Sequence, residues 1–184
     1  MVSSGLPRRE QAIELLRESN CSPQVIRHCI AVSDLAVETA RKLVEKGLKI
    51  DVELVQAGAL LHDLGRSKNH TIDHAIVGAE MAQSLNLPDS IVRIIKRHVG
   101  AGISAKEAQS LGWPKDIYSP KTLEEKIVCY ADKLIDHGKR KPIEAEIEKL
   151  KKENKVEAAE RVRKLYEEIT VLLGNKHDHL NITS

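Results

Sequence analysis

"LLHDLGRSKNHTIDHAIVGAE", residues 60–80, decides how this chain is read. It follows an almost wholly apolar run, Leu54 to Leu61, closes it with His62 and Asp63, and then supplies His70 and His74. An apolar helix ending on a histidine and a carboxylate raises a physical problem. A buried carboxylate left unpaired costs several kcal/mol or is forced into its neutral form. The question is whether the rest of the chain provides partners for His62 and Asp63.

Outward from this stretch the sequence reads as helices throughout, and no window alternates apolar and polar residues well enough for a strand. Pro7 to Ser19 is a short amphipathic helix. Ser22-Pro23 caps and opens a helix that runs to about Lys46 and is stopped by Gly47. Asp51 caps the next, which ends at Gly65. Asp73 caps a helix to about Leu87, and Pro88 opens another ending near Gly100. Ser104 to Leu111 is short, "GWPKDIYSPKT" is a loop, and Thr122 caps a helix to about Asp136. After Pro142 the chain becomes rich in Glu and Lys. Apolar residues at Ile143, Ile147 and Leu150, then Val162, Leu165, Ile169 and Leu172, keep helical spacing around a turn near Asn154. This is expected to be a charged helical hairpin packed on the core, with a homodimer contact as its alternative use. The expected organisation is a domain over 1–140, a helical appendage over 141–174 and a frayed tail over 175–184, whose His177 and His179 read as solvent residues.

On these helices the other ionisable residues fall on inward stripes. His28 lies three residues after Val25 and four before Val32. His74 shares a face with Val77, Gly78, Met81 and Leu85; His98 follows Ile91, Ile94 and Ile95; Asp132 follows Val128 by four and precedes Ile135 by three. Four histidines and two aspartates thus point inward from five helices, with no Arg or Lys on the stripes beside the carboxylates. Each histidine alone is ordinary as a hydrogen-bonded core residue. Converging, the six satisfy one another best through a metal ion, and neutral imidazoles with ionised carboxylates suit Zn, Mn, Fe, Co or Ni.

Composition narrows the remaining classes. The chain has 184 residues, which suits one domain, and 41% of them are hydrophobic against 2% aromatic, so the core must be aliphatic. With 29 basic and 27 acidic side chains the net charge is +2, which gives no strong nucleic-acid signal. Three cysteines, Cys21, Cys29 and Cys129, have no metal-finger spacing and read as reduced thiols, hence an expected cytoplasmic location. No signal peptide or apolar run long enough to span a bilayer is read, so no membrane partner is expected.

The order His28, His62-Asp63, Asp132 resembles the H…HD…D signature of the HD superfamily of metal-dependent phosphohydrolases. "LLHDLGR" is similar to its HDIG-type form, with Leu64 for the usual Ile and Arg66 where Lys is common. "HAIVGAE" and "RHVGAG" resemble the further His-bearing segments of the HDIG and HD-GYP branches. The resemblance covers about residues 22–140 and is strong to short, stand-alone archaeal HDIG proteins. It implies an all-α HD-domain helical bundle in which His28, His62, Asp63 and Asp132 hold a first divalent transition metal. In two-metal branches Asp63 bridges, and His74 and His98 match the holders of a second ion, so one or two ions are expected. It implies hydrolysis by metal-activated water of a phosphomonoester or phosphodiester, a small phosphorylated substrate of nucleotide type.

The candidate catalytic residues beside Asp63 are Arg66, His70 and Lys133. Arg66 and Lys133 are read as phosphate contacts, with Lys68 a third nearby cation; the plain alternative for each is a surface salt bridge. His70, in the loop between two helices, reads as a general acid, a gate or a solvated loop residue, and Arg97 is similarly open. Loops 66–73 and 100–120 are expected to shape the pocket. Two other readings stand beside the hydrolase: a metal-binding regulatory module without turnover, and a di-iron oxygenase, whose ligand pattern partly overlaps this one.

Overall fold

The computed structural model describes residues 5–174. The expected tail with His177 and His179 lies outside the described residues. Over that span the chain folds as an all-α bundle: α1 (Arg9–Glu18), α2 (Pro23–Glu45), α3 (Val52–Leu61), α4 (His74–Ser84), α5 (Asp89–Arg97), α6 (Ala105–Ser110), α7 (Leu123–Lys133), α8 (Ile143–Lys152) and α9 (Val156–Leu172). The helix starts are set chemically. The Ser22 hydroxyl accepts the Val25 amide with Pro23 at the first turn, and the Asp51 carboxylate accepts the Leu54 amide. Ser104 with Glu107, and Thr122 with Glu125, form capping boxes. Asp73 departs from expectation. Its carboxylate makes no cap and instead accepts the Trp113 indole N–H at 2.7 Å, tying the entry of α4 to the 112–122 loop.

Helix α3 explains the apolar run. Val55, Ala57, Gly58, Ala59, Leu60 and Leu61 are all buried, because α2, α5, α7 and α1 pack around it. A helix enclosed on every side has no polar face to show in sequence. On one flank its residues join Leu16, Ile91 and Ile95 of α1 and α5. On the other they join Val32 and Leu43 of α2, Ile127 of α7, and Ile147, Leu150, Val162 and Ile169 of α8 and α9. The charged hairpin therefore buries its apolar stripe in the same core as the helices before it.

Two boundaries differ from the sequence reading. The helix expected to reach Gly65 stops at Leu61, and the chain tightens into a 3₁₀ turn over Leu64–Ser67. The helix expected to reach Asp136 stops at Lys133, where two short strands, β1 (Ile135–Asp136) and β2 (Lys139–Arg140), pair antiparallel. Their connection, His137-Gly138, has positive φ at both residues, the geometry of a two-residue hairpin turn. Two-residue strands are too short to leave a period in the sequence. A single bridge pairs Ile103 with Tyr118. No described helix is long and apolar enough to cross a membrane.

Candidate metal centre

The six inward His and Asp residues meet at one place, most of them delivered by helix ends. His62 and His98 are the C-terminal caps of α3 and α5, His74 is the first residue of α4, and Asp63 opens the 3₁₀ turn. His28 comes from the second turn of α2 and Asp132 from the last turn of α7. The approach of Asp63 to His74 depends on two glycines. A Cβ at Gly65 would stand 2.6 Å from the Gly78 nitrogen and also meet the His74 carbonyl, so only glycine lets the 3₁₀ turn lie against α4. The neighbour that needs Gly78 small is thus the backbone of the His-Asp turn itself.

Three of the imidazoles are oriented in the same way. His62 Nδ1 donates to the Ala59 carbonyl at 2.7 Å, His74 Nδ1 to Thr71 at 2.6 Å and His98 Nδ1 to Ile95 at 2.7 Å. Each ring is pinned to the carbonyl three residues before it, which commits the Nδ1 proton and leaves Nε2 facing inward. His62 Nε2 is buried and makes no hydrogen bond among the described residues; it stands 3.4 Å from Asp132 Oδ1 and 3.7 Å from Asp63 Oδ2. His74 Nε2 and His98 Nε2 face each other at 3.1 Å, and lie 3.1 and 3.5 Å from Asp63 Oδ1. His28 Nε2 is 3.1 Å from Asp132 Oδ1 and 3.9 Å from Asp63 Oδ2. Asp63 therefore turns one oxygen to His74 and His98 and the other to His28 and His62. Lone pairs crowded on carboxylate oxygens need positive charge between them.

Part of that charge comes from the two nearby cations that the sequence offered off the inward stripes. Arg66 Nε donates to both Asp63 oxygens at 3.1 Å, and Lys133 Nζ pairs with Asp132 Oδ2 at 2.6 Å. Both cations lie within three residues of their partner, so neither needed a place on the apolar stripe. Burial opposes the charged form of Asp63, but His62, His74 and His98 outweigh it and hold the carboxyl well below its ordinary range. For Asp132 burial is likewise outweighed, by Lys133, His28 and His62. Burial lowers His62, yet the Asp63 charge prevails and raises it well above the usual value; in His98 burial wins and the imidazole falls to about 4.

The centre opens on a pocket of about 420 Å³ lined by His28, Asp63, Arg66, His70, His74, His98, Asp132 and Lys133. Every candidate catalytic residue faces it; His62 lies beneath. His70 is exposed, and its imidazole makes no hydrogen bond among the described residues, only its carbonyl accepting from Arg66. Lys68 is exposed and faces neither this pocket nor the adjoining cleft. Arg97 turns away, bound at 2.9 Å to the buried Glu125. Sequence reading missed Glu146, Lys149 and Leu150 of α8, which line the approach. Their signal was only a charge run on a helix, which is usually solvated.

The HD-domain family model matches residues 25–137, the span from α2 through β1 that carries all six residues. The chain belongs to the HD-domain family. Within it, an uncharacterized protein of Methanocaldococcus jannaschii is 48% identical over 143 residues, covering 78% of this chain and 84% of that protein. A tRNA (cytidine(56)-2'-O)-methyltransferase of Picrophilus torridus is 41% identical over 175 residues, 95% of this chain, but the chain spans only 50% of that protein's length. In fold, the HD domain of the L. monocytogenes phosphodiesterase PgpH, crystallised with cyclic-di-AMP, is similar with a TM-score of 0.55 at 17% identity, over 92% of this chain and 99% of that one. HD-domain membership accounts for α2 to α7; the α8–α9 hairpin falls outside the matched residues.

Proposed function

We propose that the chain is a metal-dependent phosphohydrolase that acts on a nucleotide, as a phosphomonoesterase or phosphodiesterase. One observation carries the reading: the two oxygens of Asp63 turn to two different sets of imidazoles, and three of those rings have already committed their Nδ1 protons to carbonyls. The donor set fits a divalent transition ion. His28, His62 and Asp132 have ligand atoms within 4.8 Å of one another, and so do His62, Asp63 and His98. On this reading His28, His62, Asp63 and Asp132 hold a first Mn, Fe, Co, Ni or Zn ion, and Asp63, His74 and His98 hold a second. HD-domain membership supports the metal and hydrolase chemistry, and the PgpH complex with a nucleotide supports the substrate class.

When bound, such an ion lowers the pKa of water and polarises a phosphoryl oxygen. The chain's own side chains do the rest. Arg66 and Lys133 face the pocket from beside Asp63 and Asp132 and meet the charge that develops on the equatorial phosphoryl oxygens. His70, exposed at the mouth, gives its proton to the departing oxygen. Water gives up one proton to solvent as its oxygen bonds to phosphorus, the ester P–O bond breaks, the leaving alkoxide takes the His70 proton, and His70 regains a proton from solvent.

The test is a panel of phosphomonoesters and phosphodiesters with protein loaded in turn with Mn, Fe, Co, Ni and Zn, alongside metal analysis of wild-type and Asp63→Ala protein. Hydrolysis with at least one metal, and loss of metal in the variant, is expected. Protein that takes up no metal overturns the reading. So does iron-loaded protein that consumes oxygen and hydrolyses nothing, which would favour an oxygenase.

A further inference from the structure

A cleft of about 720 Å³ opens off the metal pocket, and Arg66, His70, Lys133 and Lys149 line both. Ligand clefts run from ~300 to ~1,000 Å³, so there is more room here than a bare phosphate needs. Its far wall is the α8–α9 hairpin, which lies outside the HD-domain match. From the loop side come Ile72, Val99 and Ile103; from the hairpin come Leu150 and Ala158. Leu150 and Ala158 are also part of the main core, so this wall is fixed by packing.

The charges around the apolar patch are unevenly matched. Glu107 is paired with Arg161 at 2.9 Å, Glu146 with Lys141 at 2.6 Å and Glu153 with Lys155 at 2.7 Å. Among the described residues the Lys149 and Lys106 ammonium groups make no ion pair or hydrogen bond, the Lys149 charge bearing on Glu153 only from further off, and Glu157 is the one lining carboxylate without a cation. The unpaired balance is positive. Arg161 lines the same cleft, and its buried Nε–H has no acceptor among the described residues. Free ammonium groups and a spare guanidinium donor beside an apolar floor suit an anion attached to a flat, weakly polar body. Among the described residues no Trp, Tyr or Phe side chain lines the cleft, so they offer no stacking platform of the kind that holds runs of single-stranded bases.

We infer that the hairpin cleft is a second subsite for a nucleoside carrying a further phosphate beyond the one hydrolysed, with Lys149 and Lys106 as its anion contacts. The inference rests on the hydrolase reading for which end of the ligand reacts. The same chemistry has two sources, a nucleoside 3',5'-bisphosphate and a short 5'-phosphorylated dinucleotide.

The experiment uses the full chain loaded with whichever metal supports turnover. It compares kcat/KM for p-nitrophenyl phosphate, AMP, adenosine 3',5'-bisphosphate and the dinucleotide pApA, in wild type and in the Lys106→Glu/Lys149→Glu double variant. Lys152→Glu, exposed on the same helix and outside both cavities, controls for general charge. One two-phosphate substrate should exceed AMP by ~tenfold or more, a free-energy difference of about 1.4 kcal/mol. The double variant should erase that ratio and Lys152→Glu should keep it. Whichever substrate leads identifies the source. Equal kcat/KM for AMP and both two-phosphate substrates, or a ratio unmoved by the double variant, overturns the subsite. If no ester is hydrolysed with any metal, the hydrolase reading fails separately, and calorimetric titration of the bisphosphate and dinucleotide decides the subsite. Binding weakened ~tenfold by the double variant supports it, and absence of binding overturns it.

Discussion

Arg97 and His98 are neighbours in sequence, yet they enter two buried polar clusters of opposite kinds. Around Arg97 the buried guanidinium is held by acceptors: Nε donates to the Ile117 carbonyl at 3.2 Å and Nη1 to the Glu125 carboxylate at 2.9 and 3.0 Å. Glu125 in turn accepts the Lys121 amide at 2.6 Å and closes the capping box of α7. Around His98 the Nδ1 donors are spent on carbonyls, and what faces inward is Nε2 atoms: the buried Nε2 of His62, which makes no hydrogen bond among the described residues, and the Nε2 atoms of His74 and His98 turned to each other. The first cluster is completed by protein alone. The second turns four imidazole Nε2 atoms onto two carboxylates that Arg66 and Lys133 already pair. Burial of charge is therefore a poor mark of a functional site, and inward ring nitrogens converging on shared carboxylates are a better one.

The strongest way to break this contrast is at Asp63. Asp63→Ala should remove bound metal and lower hydrolysis by on the order of 10³-fold or more, since residues that act as one unit fail together. Inductively coupled plasma analysis and kcat/KM read the two effects. Retained metal with full activity would make the centre a structural cluster like that of Arg97.

At Arg97 the expectation is a large loss of stability that ignores metal. Glu125→Ala leaves a buried guanidinium without its carboxylate, a change that costs about 3–5 kcal/mol. The drop in melting temperature should be equal with and without EDTA. Asp132→Ala should behave differently. In loaded protein it destabilises, because an ion bound only by the native state stabilises by mass action. In EDTA the effect is smaller or reversed, because carboxylate burial is relieved. Equal shifts in both conditions for Asp132→Ala would erase the distinction between the clusters.

Gly65 tests how the centre is held together. Gly65→Ala places a methyl group against the α4 backbone and should cost about 1–3 kcal/mol or more in urea denaturation, with metal affinity falling as Asp63 and His74 move apart. A variant of wild-type stability would mean that the turn and helix separate easily.

Much of the fold and of the metal centre is legible in the sequence. The six His and Asp residues can be brought together from their helical stripes because burying each one unpaired is expensive, and because caps such as Ser22, Asp51 and Thr122 fix where the helices begin. The resemblance of His28, His62-Asp63 and Asp132 to the HD signature then names the family. Other features leave no trace. Arg66 and Lys133 reach their carboxylates by folding back over one to three residues, which periodicity does not register. The His137-Gly138 turn joins strands of two residues each. The hairpin's part in the cleft is hidden for another reason. Lys149 and Lys106 lie on separate helices, and each alone looks like part of a solvated face.

The smallest expected effect is on pH dependence in chelated protein. His98 falls to about 4 in the native state, against about 6.5 unfolded. Its depressed value contributes stability that is present above pH ~6.5 and is lost as pH falls toward 4, because only the unfolded chain takes up the proton in that window. His62 is raised, so its contribution is complete below pH ~6.5 and is lost as pH rises through its native value. The two act on opposite sides of pH ~6.5, and metal-free protein should be most stable near there, losing about 2–3 kcal/mol by pH 4. Metal binding needs neutral imidazoles and displaces the proton held at His62, so the loaded protein should have its optimum at higher pH. Urea denaturation from pH 4 to 9, with EDTA and with excess metal, measures both curves. A flat profile in EDTA, or one whose maximum does not move when metal is added, would show that the His62 and His98 rings are satisfied by the protein alone.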